Sequence, residues 1–370
     1  MTTISPEFSI WKTLVGSAKG EVFEKSLECW QKEVRLSLGI STAKPIVIVG
    51  HQPMFFHPGI LAKFITANRL VQEIDGELVY LVVDHHKGPA GILKTPQQEV
   101  EVAILDSDVE MMDQQRAEVS GDVEPFATAL QTADGKNAAM QFANAMVQLM
   151  LPWVNVHHVI AASELLQSTF GEAVVHKMQS HPQFCIEAYN SAAESFPESR
   201  ILSLQNGELP VWNVNEELRP RALLLTLLAR LVACDLFVHG TGGMEYDQVM
   251  EQWCHSWLGC SPCNAVMATA TLRLKSECKS VTDARREYHS PSFDVQTKGD
   301  FLKAMKHAPY NSTERQIQFQ KMHRWLQSVQ PPLDLAALKH NEELSLKRDW
   351  AFPLYPMEQL NSLYEEINAL

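Results

Sequence analysis

Long apolar runs are missing from this chain. No stretch approaches the ~18 uncharged residues that a membrane span needs, so no membrane partner is expected. The start of the sequence, Met1-Thr2-Thr3-Ile4-Ser5-Pro6-Glu7, lacks the basic residues and apolar stretch of a secretory signal, and a cytoplasmic protein is expected. Positive charge is in deficit: 31 lysines and arginines stand against 44 aspartates and glutamates, giving a net charge of −13. That balance opposes non-specific binding to nucleic acid or an anionic membrane, so the partner set is read as a small-molecule substrate, with no nucleic acid. A local basic pocket is still able to hold an anionic ligand. Self-association as a homodimer is left open.

Cysteine is sparse and irregular. Seven cysteines, an odd number without regular spacing, do not make a disulfide framework. Cys254, His255, Cys260 and Cys263 include a Cys-Ser-Pro-Cys pair, but a zinc site usually needs a second close pair, and Cys278 lies at an unhelpful distance. Buried reduced thiols are expected there, and no metal. The chain also lacks internal repeats and low-complexity tracts.

What the sequence does have is three polar, glycine-flanked segments, each directly after an apolar run rich in β-branched residues. Pro45-Ile46-Val47-Ile48-Val49 leads into Gly50-His51-Gln52-Pro53 and on to His57-Pro58-Gly59; Leu78 to Val83 leads into Asp84-His85-His86-Lys87-Gly88; Asp235-Leu236-Phe237-Val238 leads into His239-Gly240-Thr241-Gly242-Gly243. Such runs read as buried parallel strands. In open α/β sheets the ligand lies beyond the carboxyl ends of the strands, so the three exits are expected to converge on one crevice.

Around these strands the periodicity predicts helices over residues 1–40 and a helix opened by Gly59, Ile60 to Val71, closing a βαβ unit. Alternation at Val100, Val102 and Ile104 suggests an edge strand. A helix is expected near 137–151, a strand over 154–161 with Ser163 as the following N-cap, and helices over most of 163–197. A hairpin is read between Ile201 and Val214 around Asn206-Gly207, then an apolar helix over 220–232, a helix carrying Tyr246 to Trp257, and a strand over 265–274. The fold class is α/β: a Rossmann-like parallel-sheet core with helical insertions and a helical C-terminal region. The domain reading is 1–275 for the core, including an inserted helical and hairpin segment over about 97–230, and 276–370 for a mainly helical part with a loop around His289-Ser290-Pro291.

A helix beginning at Gly59 aims free N–H groups and its positive dipole end at the crevice, where a phosphate or carboxylate would sit. His51 and His57 would donate hydrogen bonds to phosphoryl oxygens, much as the paired histidines of nucleotidylyl-transfer enzymes do. Lys63, one turn into the helix, reaches either the anion or solvent, and Gln52 and Asn68 are equally undecided. In Asp84-His85-His86 an aspartate beside imidazoles orients a general base or binds a cation, and one of these three is expected to be catalytic. The glycines of 240–243 permit close backbone approach to a ligand, with Tyr246 and Asp247 next on the helix. His157, His158 and His289 have no such context and read as structural. Arg219, Arg221 and Arg273 either balance an anionic ligand or pair with surface carboxylates.

At these residues the sequence resembles the bacillithiol-biosynthesis cysteine-adding enzyme family. The matching positions are Gly50-His51-Gln52-Pro53, Pro58-Gly59 with Lys63, Asp84-His85, the Arg219-Pro220 entry to an apolar helix, Gly240 to Gly243 with Tyr246, and Ala270-Thr271-Leu272. His51 stands where the family has glutamine, and Gly243 where it has glutamate. The resemblance implies a nucleotidylyl-transferase type of core and a ligase or transferase reaction. That reaction would join an amine- or thiol-bearing small molecule to a polar or sugar-derived acceptor, with Asp84 and His85 in acid–base work. Two other readings stand beside it. One is phosphate-centred chemistry, either nucleotide transfer or metal-assisted hydrolysis; the other is a non-catalytic ligand-binding protein. The cofactor is open, with a nucleotide or other phosphate-bearing ligand as the candidate.

Overall fold

The computed structural model describes residues 1–88, 90–96, 98–105, 111–274, 281–289, 295–329 and 334–370. The chain forms two compact units, Met1–Leu272 together with Arg348–Leu370, and Arg273–Lys347. Cys278 and the Ser290-Pro291 loop lie outside the described residues, as does the side chain of His289.

The first unit is built on a six-stranded sheet of β1 (Thr2–Ser5), β2 (Ile46–His51), β3 (Glu77–Val82), β4 (His158–Ala161), β7 (Leu236–His239) and β8 (Ala265–Ala270). β5 (Val211–Val214) and β6 (Glu217–Pro220) form a separate ribbon. The sheet order is β1-β8-β7-β2-β3-β4. All neighbours are parallel except β1, which runs antiparallel to β8 at the edge. The three apolar runs are therefore adjacent, with β2 in the centre. Ile46 to Val49 are wholly buried, as strands covered on both faces require.

From β2 the chain steps through β3 to β4, then crosses back and steps from β7 to β8 on the other side. This is the Rossmann-like order, and β2 and β7 flank the topological switch point. Right-handed crossovers put the helix between β2 and β3 and the helix between β7 and β8 on opposite faces. These are α2 (Pro58–Ile74) and α5 (Thr241–Leu258), which follow α1 (Leu27–Ser37), α3 (Ala138–Met150) and α4 (Ala222–Leu228) in the numbering. Both therefore begin at the same end of the sheet, one on each side of the switch point.

Five local readings are corrected. Residues 99–104 join two-residue and three-residue ribbons outside the main sheet, Ile92–Lys94 with Glu99–Glu101 and Ala103–Ile104 with Glu118–Val119. A two-residue period fits any hairpin. The real edge strand is Thr2–Ser5, inside a region read as helical. The hairpin turns at Asn215-Glu216, not at Asn206-Gly207; both pairs have positive φ, but only the first is flanked by pairing segments. Ser163 lies inside the helix Ala162–Leu166, whose N-cap is Ala161. The apolar helix is α only to Leu228 and continues as a π turn over Ala229–Ala233.

The second unit consists of the helices Val281–His289, Val295–His307, Thr313–Val329 and Leu335–Leu346. Met305, Met322 and Leu326 form its small core, with Phe301 and Trp325 against them. Among the described residues no helix is long and apolar enough to cross a membrane.

Candidate functional site

A cavity of about 480 Å³ opens at the switch point, where the exits of β2, β3 and β7 meet. Its wall takes Gly50, His51 and Gln52 from the first exit, His85 from the second, and His239 to Gly243 from the third. His57, Ile60 and Lys63 line it from α2; Trp212, Leu225, Thr226 and Tyr246 line the other side. In a chain with 44 acidic residues, no aspartate or glutamate is among the described residues that line the cavity, which include Lys63, Arg348 and four histidines.

The two helix starts differ in what they offer. At α2 the His57 ring caps its own helix: Nδ1 accepts from Gly59 N at 3.0 Å, and the His57 carbonyl accepts from Ile60 N at 2.9 Å and Leu61 N at 3.4 Å. Pro58 has no N–H. The donors expected to hold an anion there are already engaged, and Gly59 is not on the wall. Its missing side chain answers a packing need, since a Cβ would lie 2.8 Å from both Ala270 O and Thr269 Oγ1. At α5 the N-cap is Gly240, and no side chain caps the helix. The N–H groups of Thr241, Gly242 and Gly243 begin a helix of 18 residues at the cavity wall, where orphan donors and the dipole favour an anion.

With Nδ1 accepting, the neutral His57 ring keeps its proton on Nε2. Burial, with Arg348 and Lys63 nearby, pushes its pKa down to about 4. His51 donates from Nδ1 to the Gln52 carbonyl at 2.9 Å, since a carbonyl only accepts. Burial and the Lys63 charge press its pKa down to about 3, so both rings stay neutral near pH 7. Lys63 is 3% exposed and its Nζ donates to Gly50 O at 3.0 Å. Burial lowers its pKa to about 7. Gln52, more exposed, uses its carbonyl to accept from the Tyr80 hydroxyl at 3.2 Å.

Asp84 is fully buried behind the wall, where its carboxylate accepts the Ser163 N–H at 3.1 Å and the Ser163 hydroxyl. Burial raises its pKa, but His85 and Ser163 outweigh that and hold it below the ordinary value. His85 reaches the wall, with Nδ1 3.6 Å from Asp84 Oδ1 and no hydrogen-bond partner on that atom. His86 is half-buried and off the wall, its pKa lowered by burial and by His85. The tetrad thus splits, with one member, His85, at the cavity.

His239 is 3% exposed, and its Nε2 lies 3.3 Å from Asp247 Oδ1. Phe237 packs against its ring in a tilted arrangement with centroids 4.6 Å apart, and Tyr246 meets it edge-on at 6.0 Å. Burial, with Asp247 adding to it, raises the Tyr246 hydroxyl to about 12. Arg219 pairs with Asp113 and Glu217 at 2.6 Å each, and Arg221 with Glu208 at 3.0 Å. Asn68 caps Asn155 N at 3.0 Å and is structural. The cysteines make two buried thiol contacts, Cys234 to Cys263 at 3.5 Å and Cys254 to Cys260 at 3.8 Å.

Arg348, Thr269 and Trp212 complete the wall without having been expected. Arg348 Nη2 donates to Thr269 Oγ1 at 3.3 Å, from a segment with no motif around it. Only glycine richness near a strand end could have flagged the cavity.

No protein-family model matches the chain, and no curated protein matches it. Solved structures similar to it include tyrosyl-tRNA synthetase from Archaeoglobus fulgidus complexed with L-tyrosine, at 13% identity and TM-score 0.32, covering 98% of this chain and 99% of that one. Tyrosyl-tRNA synthetase from Aeropyrum pernix gives 13% and 0.33 over 98% and 99%. Plasmodium falciparum tryptophanyl-tRNA synthetase gives 9% and 0.30 over 97% and 96%. Likeness at this level assigns no activity to the chain. It does correct two expectations. The bacillithiol-family resemblance is withdrawn: no family model matches the chain. The expectation of no nucleic-acid partner does not stand either: the solved structures found are titled tRNA synthetases, which is said of those proteins alone. Charge is also unevenly spread: between 273 and 347 lysine and arginine outnumber aspartate and glutamate.

Proposed function

We propose that this protein is an enzyme that binds a phosphate-bearing small molecule, a nucleotide foremost, in the switch-point crevice and transfers a group at its phosphate. One observation carries the reading: the uncapped start of α5 opens onto a cavity whose lining, among the described residues, has Lys63 and Arg348 and no carboxylate. The phosphate lies against the N–H groups of Thr241 to Gly243, with the Lys63 ammonium and the His57 Nε2–H as further donors. His85 and His239, on the same wall, are the acid–base candidates. Trp212, Leu225 and Phe237 supply the apolar part of the pocket.

Titration calorimetry with ATP, pyrophosphate and sulfate tests this. Binding of all three at one site is expected, with sulfate competing against ATP. Lys63→Met should weaken sulfate by ~10-fold or more, the worth of one charge-assisted hydrogen bond. No binding of any of the three, or binding indifferent to Lys63→Met, would refute the reading.

A further inference from the structure

Behind His239 lies a buried row of charges that the phosphate site does not use. Arg230 is 1% exposed and sits in the π turn Ala229–Ala233, an irregularity often found at functional sites. Its guanidinium bonds Asp247 Oδ2 at 2.5 Å, Glu251 Oε1 at 2.6 Å and, through Nε, the Cys263 carbonyl at 2.8 Å. Asp247 turns its other oxygen to His239 Nε2 at 3.3 Å, and among the described residues neither of those two atoms has any other hydrogen-bond partner. The far side of the imidazole meets the crevice: Nδ1 stands so close to Gly243 that a Cβ there would come within 2.3 Å.

We propose that His239 is the proton acceptor of the reaction, with Asp247 and Arg230 as its positioning residues. The carboxylate faces the Nε2–H as its acceptor and thereby fixes the tautomer, keeping the proton on Nε2 and leaving the Nδ1 lone pair at the glycine turn that lines the cavity. Arg230 holds Asp247 ionised and fixes its rotamer, a buried cation and anion each satisfying the other. The inference rests on the phosphate-transfer reading and assigns the residue that drives it. Nδ1 removes the proton of an attacking hydroxyl, from an alcohol or water, as its oxygen bonds to phosphorus. The bond from phosphorus to the leaving oxygen breaks, and its electron pair departs with the phosphate or pyrophosphate group. The imidazolium so formed lies against Asp247 until it returns the proton to solvent.

The test is nitrogen-15 NMR of histidine-labelled full-length protein, with His239→Gln used to assign the ring, together with phosphate or pyrophosphate release from ATP. Wild type should show His239 protonated on Nε2 and bare on Nδ1. Asp247→Asn should mix the tautomers and slow release ~100-fold, within the range for a general base, while sulfate affinity stays unchanged. Arg230→Lys, which keeps the charge, covers the case of an unfolded Asp247→Asn and should shift the tautomer and the rate in the same direction. A wild-type protein that binds neither sulfate nor ATP refutes the crevice reading itself. Normal binding with a tautomer and rate indifferent to both variants overturns the role of His239, Asp247 and Arg230 alone.

Discussion

Gly243 and His239 compete for one space. A side chain at Gly243 would put its Cβ 2.3 Å from Nδ1 of His239 and 2.9 Å from Cγ, so the imidazole keeps its place only because the third residue of α5 has none. Gly242, next to it, would meet nothing within 4 Å. The glycines of this turn are thus unequal.

Alanine at Gly243 is expected to displace the His239 ring and destabilise the fold by ~1–3 kcal/mol, the range for overpacking a filled site. Alanine at Gly242 should leave stability within about 0.5 kcal/mol, as substitutions in open space do. Paired thermal melts check this. Equal melting shifts would show that His239 is not held by Gly243.

Lys63 makes anion binding depend on pH. Its folded pKa of about 7 lies below the ordinary 10.5, so the folded chain carries fewer protons than the unfolded one between those values. Stability from this group therefore rises with pH across that window, and is lowest below about 7, where the buried ammonium must be charged. Sulfate binding should run the opposite way and weaken as pH climbs from 6 to 9, since the anion needs the ammonium. Sulfate keeps its charge throughout, so calorimetry across this range isolates the lysine, and Lys63→Met should flatten the curve.

His57 serves two ends, and substitutions separate them. Its Nδ1 caps α2, while Nε2–H is offered to the cavity. Asparagine, a good N-cap, should preserve stability yet weaken sulfate binding; alanine should also cost ~1 kcal/mol of stability. Because the folded pKa is about 4 against an ordinary 6.5, stability from this ring is present above 6.5 and lost as pH falls towards 4. His57→Asn should remove that part of the acid sensitivity, measured by denaturant melts at pH 4 to 7.

The parts of this site that were legible in sequence are those written in one strand and its exit. Ile46 to Val49, Leu78 to Val83 and Leu236 to Val238 announce buried neighbours by apolar continuity, and the polar residues after them must gather at one sheet end. Gly59 shows the limit. A glycine records that a side chain would not fit, but not against what, and here the obstacle is the end of β8 and not a ligand. Thr2–Ser5 escaped notice because four residues on a sheet edge carry too little pattern to separate strand from helix. Arg230 and Arg348 escaped for another reason: a charged side chain inside a helical stretch, as for Arg230, or just past a helix end, as for Arg348, looks solvated until tertiary packing brings its partner, 17 residues away for Arg230 and Asp247.

Asp84 tests whether a loaded motif is chemistry or construction. Both of its oxygens accept from Ser163, one from the backbone N–H and one from the hydroxyl, which ties the exit of β3 to the helix after β4. Asparagine at this position would turn one acceptor into a donor facing the Ser163 donors, so a loss of ~1–3 kcal/mol is expected, the cost of a buried group left unmatched. Ser163→Ala should cost a similar amount, and the double variant less than both together, because the two single changes break one interaction. Asp84 is held below its ordinary pKa, so its contribution is present above about 4 and is lost as pH falls through the folded value. Rate per folded molecule should change little in Asp84→Asn, since the carboxylate is fully buried and stands behind the residues that line the cavity. A large fall in rate with unchanged melting would return Asp84 to the catalytic role that its place beside His85 first suggested.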